Sequence, residues 1–444
     1  MKVTAGLIAL IVTLSVARTF AEDWPQYYGP RRDGTSTEKG LLRTWPKEGP
    51  KVLWTAPVGI GYGGPVVSGG KVYLLDRDDK VGETLKCLDL ATGKELWRFA
   101  YAAPGRFDHP GSRSTPTVDG AYVYTCGTLG DLYCVNAGTQ KPVWHKDIWK
   151  EFGGGQLPKW GITQNPLIYR HLLIVASQAP QANVVAYDKL TGALRWKAVA
   201  PPANVGFINR QIGWLLGLSG GVGYVSPAVV KVGGDDHLVT ITAATGVGRN
   251  ASGGTVNGLD PLSGKVLWTY TNWQCSIPVP HAVDAGDGRV LITGGYNAGA
   301  AMIKVQKKAD GSYGVTELFK TPQYGAHTQP PVLYRDHFYA QYTTNERSDG
   351  LVCMTAGGQI KWKTGEEPAF VRGGAVLADG LLLATDGNTR VYVVEPDPSG
   401  YRPLASAELL EPGQNWAPLA LADGKLLIRD QKQLKCVAVA QQGR

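Results

Sequence analysis

The stretch CLDLATGKELW, residues 87–97, reads as the end of one strand, a tight turn and the start of the next. Asp89, Thr92 and Gly93 supply local side-chain hydrogen bonds and a permitted positive φ, the chemistry of a connection between antiparallel strands. An aliphatic residue and Trp97 then open the following strand. The phrase returns as CVNAGTQKPVW (134–144), AYDKLTGALRW (186–196), GLDPLSGKVLW (258–268) and CMTAGGQIKW (353–362). Two degenerate copies, around Leu318-Phe319 and Glu408-Leu409, replace the tryptophan with other apolar residues.

A second phrase marks the other end of each unit: small or polar residues, usually a proline, then a β-rich run. GGPVVSGGKVYLL (63–75) and STPTVDGAYVYTC (114–126) are two of eight such starts, aligned on Pro65, Pro116, Pro166, Pro227, Pro280, Pro331, Gly374 and Pro418. Each is followed by two strand-like runs joined by a Gly/Asp turn, a hairpin signature. One start, one hairpin and one turn-plus-tryptophan strand make a four-stranded antiparallel meander of the period expected for a propeller blade. Such a sheet cannot bury both faces alone, so eight of them predict a closed ring of stacked blades, an all-β eight-bladed propeller. The last unit, ending at Cys436–Val439, lacks its own tryptophan strand, and a spare copy, GPKVLWTAPV (49–58), precedes the first. The N-terminal strand carrying Trp54 is therefore predicted to complete the last blade.

With the repeats laid out, the Asp-x-x-Thr-Gly-Lys-x-x-Trp phrase at Asp89–Trp97 resembles the tryptophan-docking repeat of the PQQ-like propellers. That family includes both quinoprotein dehydrogenases and the non-enzymatic assembly factor BamB. The likeness covers nearly all of the chain after its N-terminus, and the lead-in DWPQYYGPRRDGTS (23–36) is similar to that of many exported members. It implies that Trp54, Trp97, Trp144, Trp196, Trp268 and Trp362 are structural and pack between blades. A large flat indole suits that role, and its N–H needs a partner there. The repeat is specific for fold and weakly specific for function.

The domain plan is a signal over residues 1–21, an extended lead-in over 22–50 and the propeller over 51–444. Lys2, an apolar run from Ala5 to Ala17 and a small-residue site at Thr19-Phe20-Ala21 make the signal. The expectation is a periplasmic or secreted protein with no stable membrane insertion once the signal is cleaved. No cysteine follows the signal, so the lipid anchor of a lipoprotein is not expected. The net charge of +8 comes without a Lys/Arg block, which excludes nucleic acid as the expected partner. Of the six cysteines, Cys87, Cys134, Cys353 and Cys436 occupy one repeated position filled by a small apolar residue, which favours buried free thiols. Cys126 and Cys134, flanking a turn at Leu129-Gly130, are the best candidates for a disulfide. No Cys-x-x-Cys-His and no zinc-ligand spacing occur.

Residues just before each aligned proline should converge on the mouth of the central funnel, with inward alternation admitting only some of them. They include Arg113, Gln164, Asn165, His327, Gln329, Arg372, Asn415 and Trp416, an Arg and amide set able to bind an anionic or planar ligand. The alternative is a wet channel whose polar lining satisfies backbone groups and water. His109, in FDHPGSRS, lies near the predicted mouth, and His281 and His327 flank inner strands. Asp76, Asp78 and Asp79 lack EF-hand spacing and read as a solvated turn. A PQQ- and calcium-dependent alcohol or sugar dehydrogenase would need calcium-holding carboxylates and a base, and the family's adjacent cysteine pair is absent. No catalytic residue, metal ligand or cofactor is therefore predicted, PQQ with calcium belonging only to that alternative. The preferred reading is a binding scaffold for a periplasmic protein partner or a small ligand. A carbohydrate-binding or carbohydrate-active propeller is a third possibility. The connection 201–223, with Phe207 and Trp214, is expected to form a partner contact or lid, or to fold back on the propeller.

Overall fold

A computed structural model of the 444-residue chain describes residues 22–199, 223–245, 251–344 and 347–441. The predicted signal and nearly all of the long connection therefore lie outside the described residues. The turn chemistry of the repeat is realised as written. Asp89 Oδ1 accepts from the Thr92 amide at 2.8 Å and its hydroxyl at 2.7 Å, and Gly93 follows at φ +71°. Asp188 with Thr191 and Asp260 with Ser263 repeat the arrangement.

Among the described residues the strands form eight four-stranded antiparallel sheets. Seven are sequential meanders, over 66–102, 117–147, 167–198, 228–270, 283–321, 332–363 and 375–408, here blades 1 to 7. Blade 8 combines three C-terminal strands, starting at Ala420–Ala422, with Val52–Pro57 as its outermost strand. Val52–Pro57 pairs antiparallel with Gln433–Ala438, so the two ends of the chain close the ring.

Register explains the repeated small residue. Cys87, Cys134, Cys353 and Cys436 lie directly opposite Trp97, Trp144, Trp362 and Trp54, and Ala186 lies opposite Trp196. A small side chain there leaves room for the indole to lean toward the next blade. Trp54, Trp144 and Trp196 each cross to the turn of the following blade, donating to the carbonyls of Leu90, Lys189 and Pro261 at 2.9–3.2 Å. Trp362 donates to Asp397 O at 2.7 Å in blade 7. Trp97 packs in the cluster between blades 1 and 2 with Val123 and Val135. Each such indole removes on the order of 200 Å² from water, about 5 kcal/mol of apolar burial. Trp268 hydrogen-bonds within its own blade instead. Its register partner is Gly258, and its N–H donates to His237 Nδ1 at 2.9 Å.

The favoured reading of buried free thiols agrees with the structure, while the candidate disulfide and the solvated turn are corrected. Cys126 pairs with Leu132 and Cys134 with Tyr124, so the two thiols sit diagonally across one strand pair, and all six cysteines are free and buried. Diagonal neighbours are roughly 7–8 Å apart, beyond disulfide reach. Burial pushes the Cys87 and Cys353 thiols up to about 11, and Cys134 and Cys436 up to about 12, the state of inert packing groups. Asp76 and Asp79 do not form a solvated turn: Asp76 is 5% exposed and accepts from the Gly59 amide and Lys86 Nζ, while Asp79 pairs with buried Arg77.

The lead-in does more than run along the surface. Trp24 exchanges backbone hydrogen bonds with Val67, and Val118 N donates to Pro25 O. Tyr28 Oη donates to Pro330 O, Arg32 Nη1 to Pro166 O, and Leu377 N to Gly34 O. Residues 24–36 thus tie blades 1, 2, 3, 6 and 7 together at the axis, where Tyr27 joins the lining of a central cup.

Candidate functional site

The cup encloses an empty volume of about 910 Å³, counting the space open to solvent at its mouth. Its lining comes from the segments entering the innermost strands, so each blade contributes through residues just before its aligned proline. In blades 1 to 4 the third residue before it faces the cup: Tyr62, Arg113, Thr163 and Tyr224. The first residue before it does so in blades 2 to 4, as Thr115, Asn165 and Ser226. In blades 7 and 8 the phase shifts by one, presenting Arg372 and Trp416.

That alternation sorts the eight predicted residues. Arg113, Asn165, His327, Gln329, Arg372 and Trp416 line the cup. Gln164 and Asn415 do not. Gln164 is buried, donating to Gly223 O at 3.0 Å and accepting from the Thr163 amide. The Asn415 amide is spent on the carbonyls of Asn388 and Glu411. His109 also lines the cup, whereas His281 is buried against the rings of Tyr27 and Tyr28. Tyr62, Trp160, Tyr224, Tyr296 and Tyr27 were not foreseen. The spacing of three before each proline marks Tyr62 and Tyr224; nothing comparable marks Trp160, Tyr296 or Tyr27.

The wall is aromatic. Tyr62, His109 and Trp416 contact one another at ring-centroid distances of 5.5–6.0 Å, and Trp160 extends the surface from His109 at 6.1 Å to Tyr224 at 5.2 Å. Two guanidinium groups sit on it: Arg372 lies 4.8 Å from the Trp416 ring, and Arg113 5.9 Å from that of Tyr62. Burial brings Arg113 down to about 10 and lowers Arg372 as well, yet Arg113 remains charged at neutral pH. Burial, then Arg372, holds His327 down at about 4; burial, then Arg113, lowers His109. His327 Nδ1 faces Thr343 O at 3.1 Å and its ring packs on Tyr296 at 4.6 Å, so it is a neutral, structurally engaged group. No Asp or Glu lines the cup among the described residues. Among the described residues the lining itself offers two cations and no carboxylate, in a half-enclosed aromatic pocket where charge is poorly screened.

Residues 81–211 match the family model of the outer membrane protein assembly factor BamB. Two curated relatives are each 26% identical to part of the chain. One is the glycerol dehydrogenase large subunit of Gluconobacter oxydans (strain 621H), over 46% of this chain and 27% of that protein. The other is the tetrathionate hydrolase of Acidithiobacillus ferrooxidans, over 49% and 42%. The matched stretch thus spans less than half of either relative. Among solved structures, a europium-containing methanol dehydrogenase superposes with TM-score 0.63 at 13% identity, over 92% of this chain and 89% of its own. BamB from Moraxella catarrhalis gives 0.55 at 12%, over 89% and 99%. At such identities the structural likeness speaks for the fold alone, which a methanol dehydrogenase and an assembly factor share.

The residues present fit half of what a quinone cofactor asks. Two arginines and aromatic faces suit a planar polycarboxylate. Among the described residues the lining holds no carboxylate set for calcium or for taking a proton from a substrate, and no three His, Cys, Asp or Glu side chains cluster for a metal.

Proposed function

We infer, from a chain that carries the PQQ-type propeller repeat, that it is a binding protein for a small planar anion held in the cup of its propeller. The observation behind this is the pairing of Arg113 and Arg372 with an aromatic wall and no described carboxylate in the lining. A guanidinium binds a carboxylate or sulfonate oxygen through two parallel donors, and the indole of Trp416 or Trp160 supplies a face for a flat ring. The lining is mostly aromatic and apolar with a few polar groups, the make-up of a small-ligand pocket. Asn165 and Gln329 are held in place by internal hydrogen bonds, Asn165 with Thr115 and Ser226 and Gln329 with Trp416, and so brace the lining. The place of action is the periplasm or the medium, in keeping with the N-terminal sequence, and among the described residues no helix is long and apolar enough to cross a membrane.

The reading predicts that planar aromatic polycarboxylates raise the melting temperature of the purified protein, neutral planar quinones do not, and no dye-linked oxidation of alcohols or sugars accompanies binding. A calcium-dependent turnover of any alcohol or sugar would replace this reading with the dehydrogenase. Indifference to every anion, with capture of a protein partner that competes for no small molecule, would replace it with a scaffold of the assembly-factor kind.

A further inference from the structure

The wall of the cup between Ala103 and Arg113 has no strand or helix of its own, yet it carries Phe107, His109 and Arg113. What holds it lies behind it. The Arg77 side chain is wholly enclosed, and its Nη2 donates to Ala103 O at 2.9 Å and Gly105 O at 2.7 Å. Asp79 accepts from the Gly111 amide at 3.2 Å through its side chain and from the Gly105 amide at 2.9 Å through its carbonyl. The guanidinium groups of Arg77 and Arg113 stand 5.9 and 5.5 Å from the same Phe107 ring. Their ionic surroundings differ sharply. Asp79 Oδ1 is 2.8 Å from Arg77 Nε and Glu83 Oε1 is 2.7 Å from Arg77 Nη1. Arg113 has no carboxylate within 4.0 Å among the described residues, its Nη2 bonding instead to His109 O.

We propose that Arg77 is a positioning residue for the anion site: by engaging Asp79 and Glu83 and pinning the 103–113 wall, it presents Arg113 to the cup with its charge uncompensated. This rests on the reading of the cup as an anion site. Without Arg77, buried Glu83 and half-buried Asp79 would lose their guanidinium partner, and Arg113, which flanks the same Phe107 ring, already feels the Asp79 charge. The cup would then lose one of its two free charges without any change in a residue that touches the ligand.

The test uses the purified protein with PQQ as a planar tricarboxylate probe, at two ionic strengths, and hydrogen exchange of the free protein. Arg77→Met should weaken PQQ binding more than about ten-fold and flatten its salt dependence, since an exposed cation has been paired. Adding Asp79→Asn and Glu83→Gln to that variant should restore most of the affinity and the salt dependence, which a merely structural role would not do. Binding by Arg77→Met equal to wild type, or a triple variant as weak as the single one, overturns the proposal. Exchange separates this from the parent reading: if wild type binds no PQQ but Arg77→Met deprotects 103–113 while Lys71–Asp78 stays protected, the anion site falls and the positioning of the wall stands. Unchanged exchange across 103–113 overturns the positioning itself. Should Arg77→Met not fold, Arg77→Lys carries the same measurements. A lysine there keeps the charge but lacks the forked donors that hold the carbonyls of Ala103 and Gly105, so deprotection of 103–113 decides.

Discussion

Replacing Gly93 by alanine should loosen the ring at its closure. Gly93 lies at φ +71°, and a Cβ built on it would come 2.5 Å from the indole of Trp54, the residue that joins blade 8 to blade 1. Two costs add. Holding alanine in the left-handed region costs roughly 1–2 kcal/mol. Pushing an indole out of a packed interface, or straining the backbone to spare it, costs about 1–3 kcal/mol more. Gly70 is the internal control, since it has the same φ of +71° and nothing within 4 Å of its would-be Cβ. Gly70→Ala should therefore lose only the first amount, so the two variants should differ by about 1–3 kcal/mol in urea unfolding. Equal losses in Gly93→Ala and Gly70→Ala would refute the claim that the glycine of the turn exists to receive the neighbouring tryptophan.

Other expectations follow from the cup and the core. Arg113→Met and Arg372→Met should each weaken binding of a planar polycarboxylate roughly 10- to 100-fold by calorimetry, the worth of one charge-assisted hydrogen bond. His327 is held neutral in the folded state with a pKa of about 4 against 6.5 when unfolded. Between these values the unfolded chain binds the extra proton, so stability present above pH 6.5 is lost as the pH falls toward 4, and His327→Gln should flatten that part of a urea-midpoint series. All six thiols should resist a thiol reagent in the native protein and react in denaturant without prior reduction.

How far the sequence could be read depended on whether a residue's neighbours lay within its own repeat. The blade starts were legible because the innermost strands begin one to three residues after the aligned positions, at Val66, Thr117, Leu167, Ala228, Val283, Val332, Ala375 and Ala420. Ring closure was legible because Trp54 sits in a copy of the phrase that the last blade lacks. Trp268 departs from its siblings because Gly258 replaces the cysteine or alanine opposite it, a difference visible in the sequence whose direction depends on His237 from another strand of that blade. Asp76 and Asp79 misled for the same reason. Lys86 and Arg77 belong to the same blade, but Gly59 and Gly111 lie in the segments before and after it, so the set spans more than fifty residues of chain. In the cup, the two-residue alternation of extended chain placed Asn165 inward and Gln164 outward. Its phase, reversed by blade 8 for Trp416 and Asn415, is set by how each segment enters its blade.

The central claim is that the cup is an anion site built on two arginines and needing no calcium, and calorimetric titration of the purified protein with PQQ tests it most directly. The account predicts saturable binding of one PQQ per chain, the same with calcium or with a chelator, and abolished in the double variant Arg113→Met/Arg372→Met. Binding that requires calcium, survives loss of both arginines, or does not occur at all would contradict it.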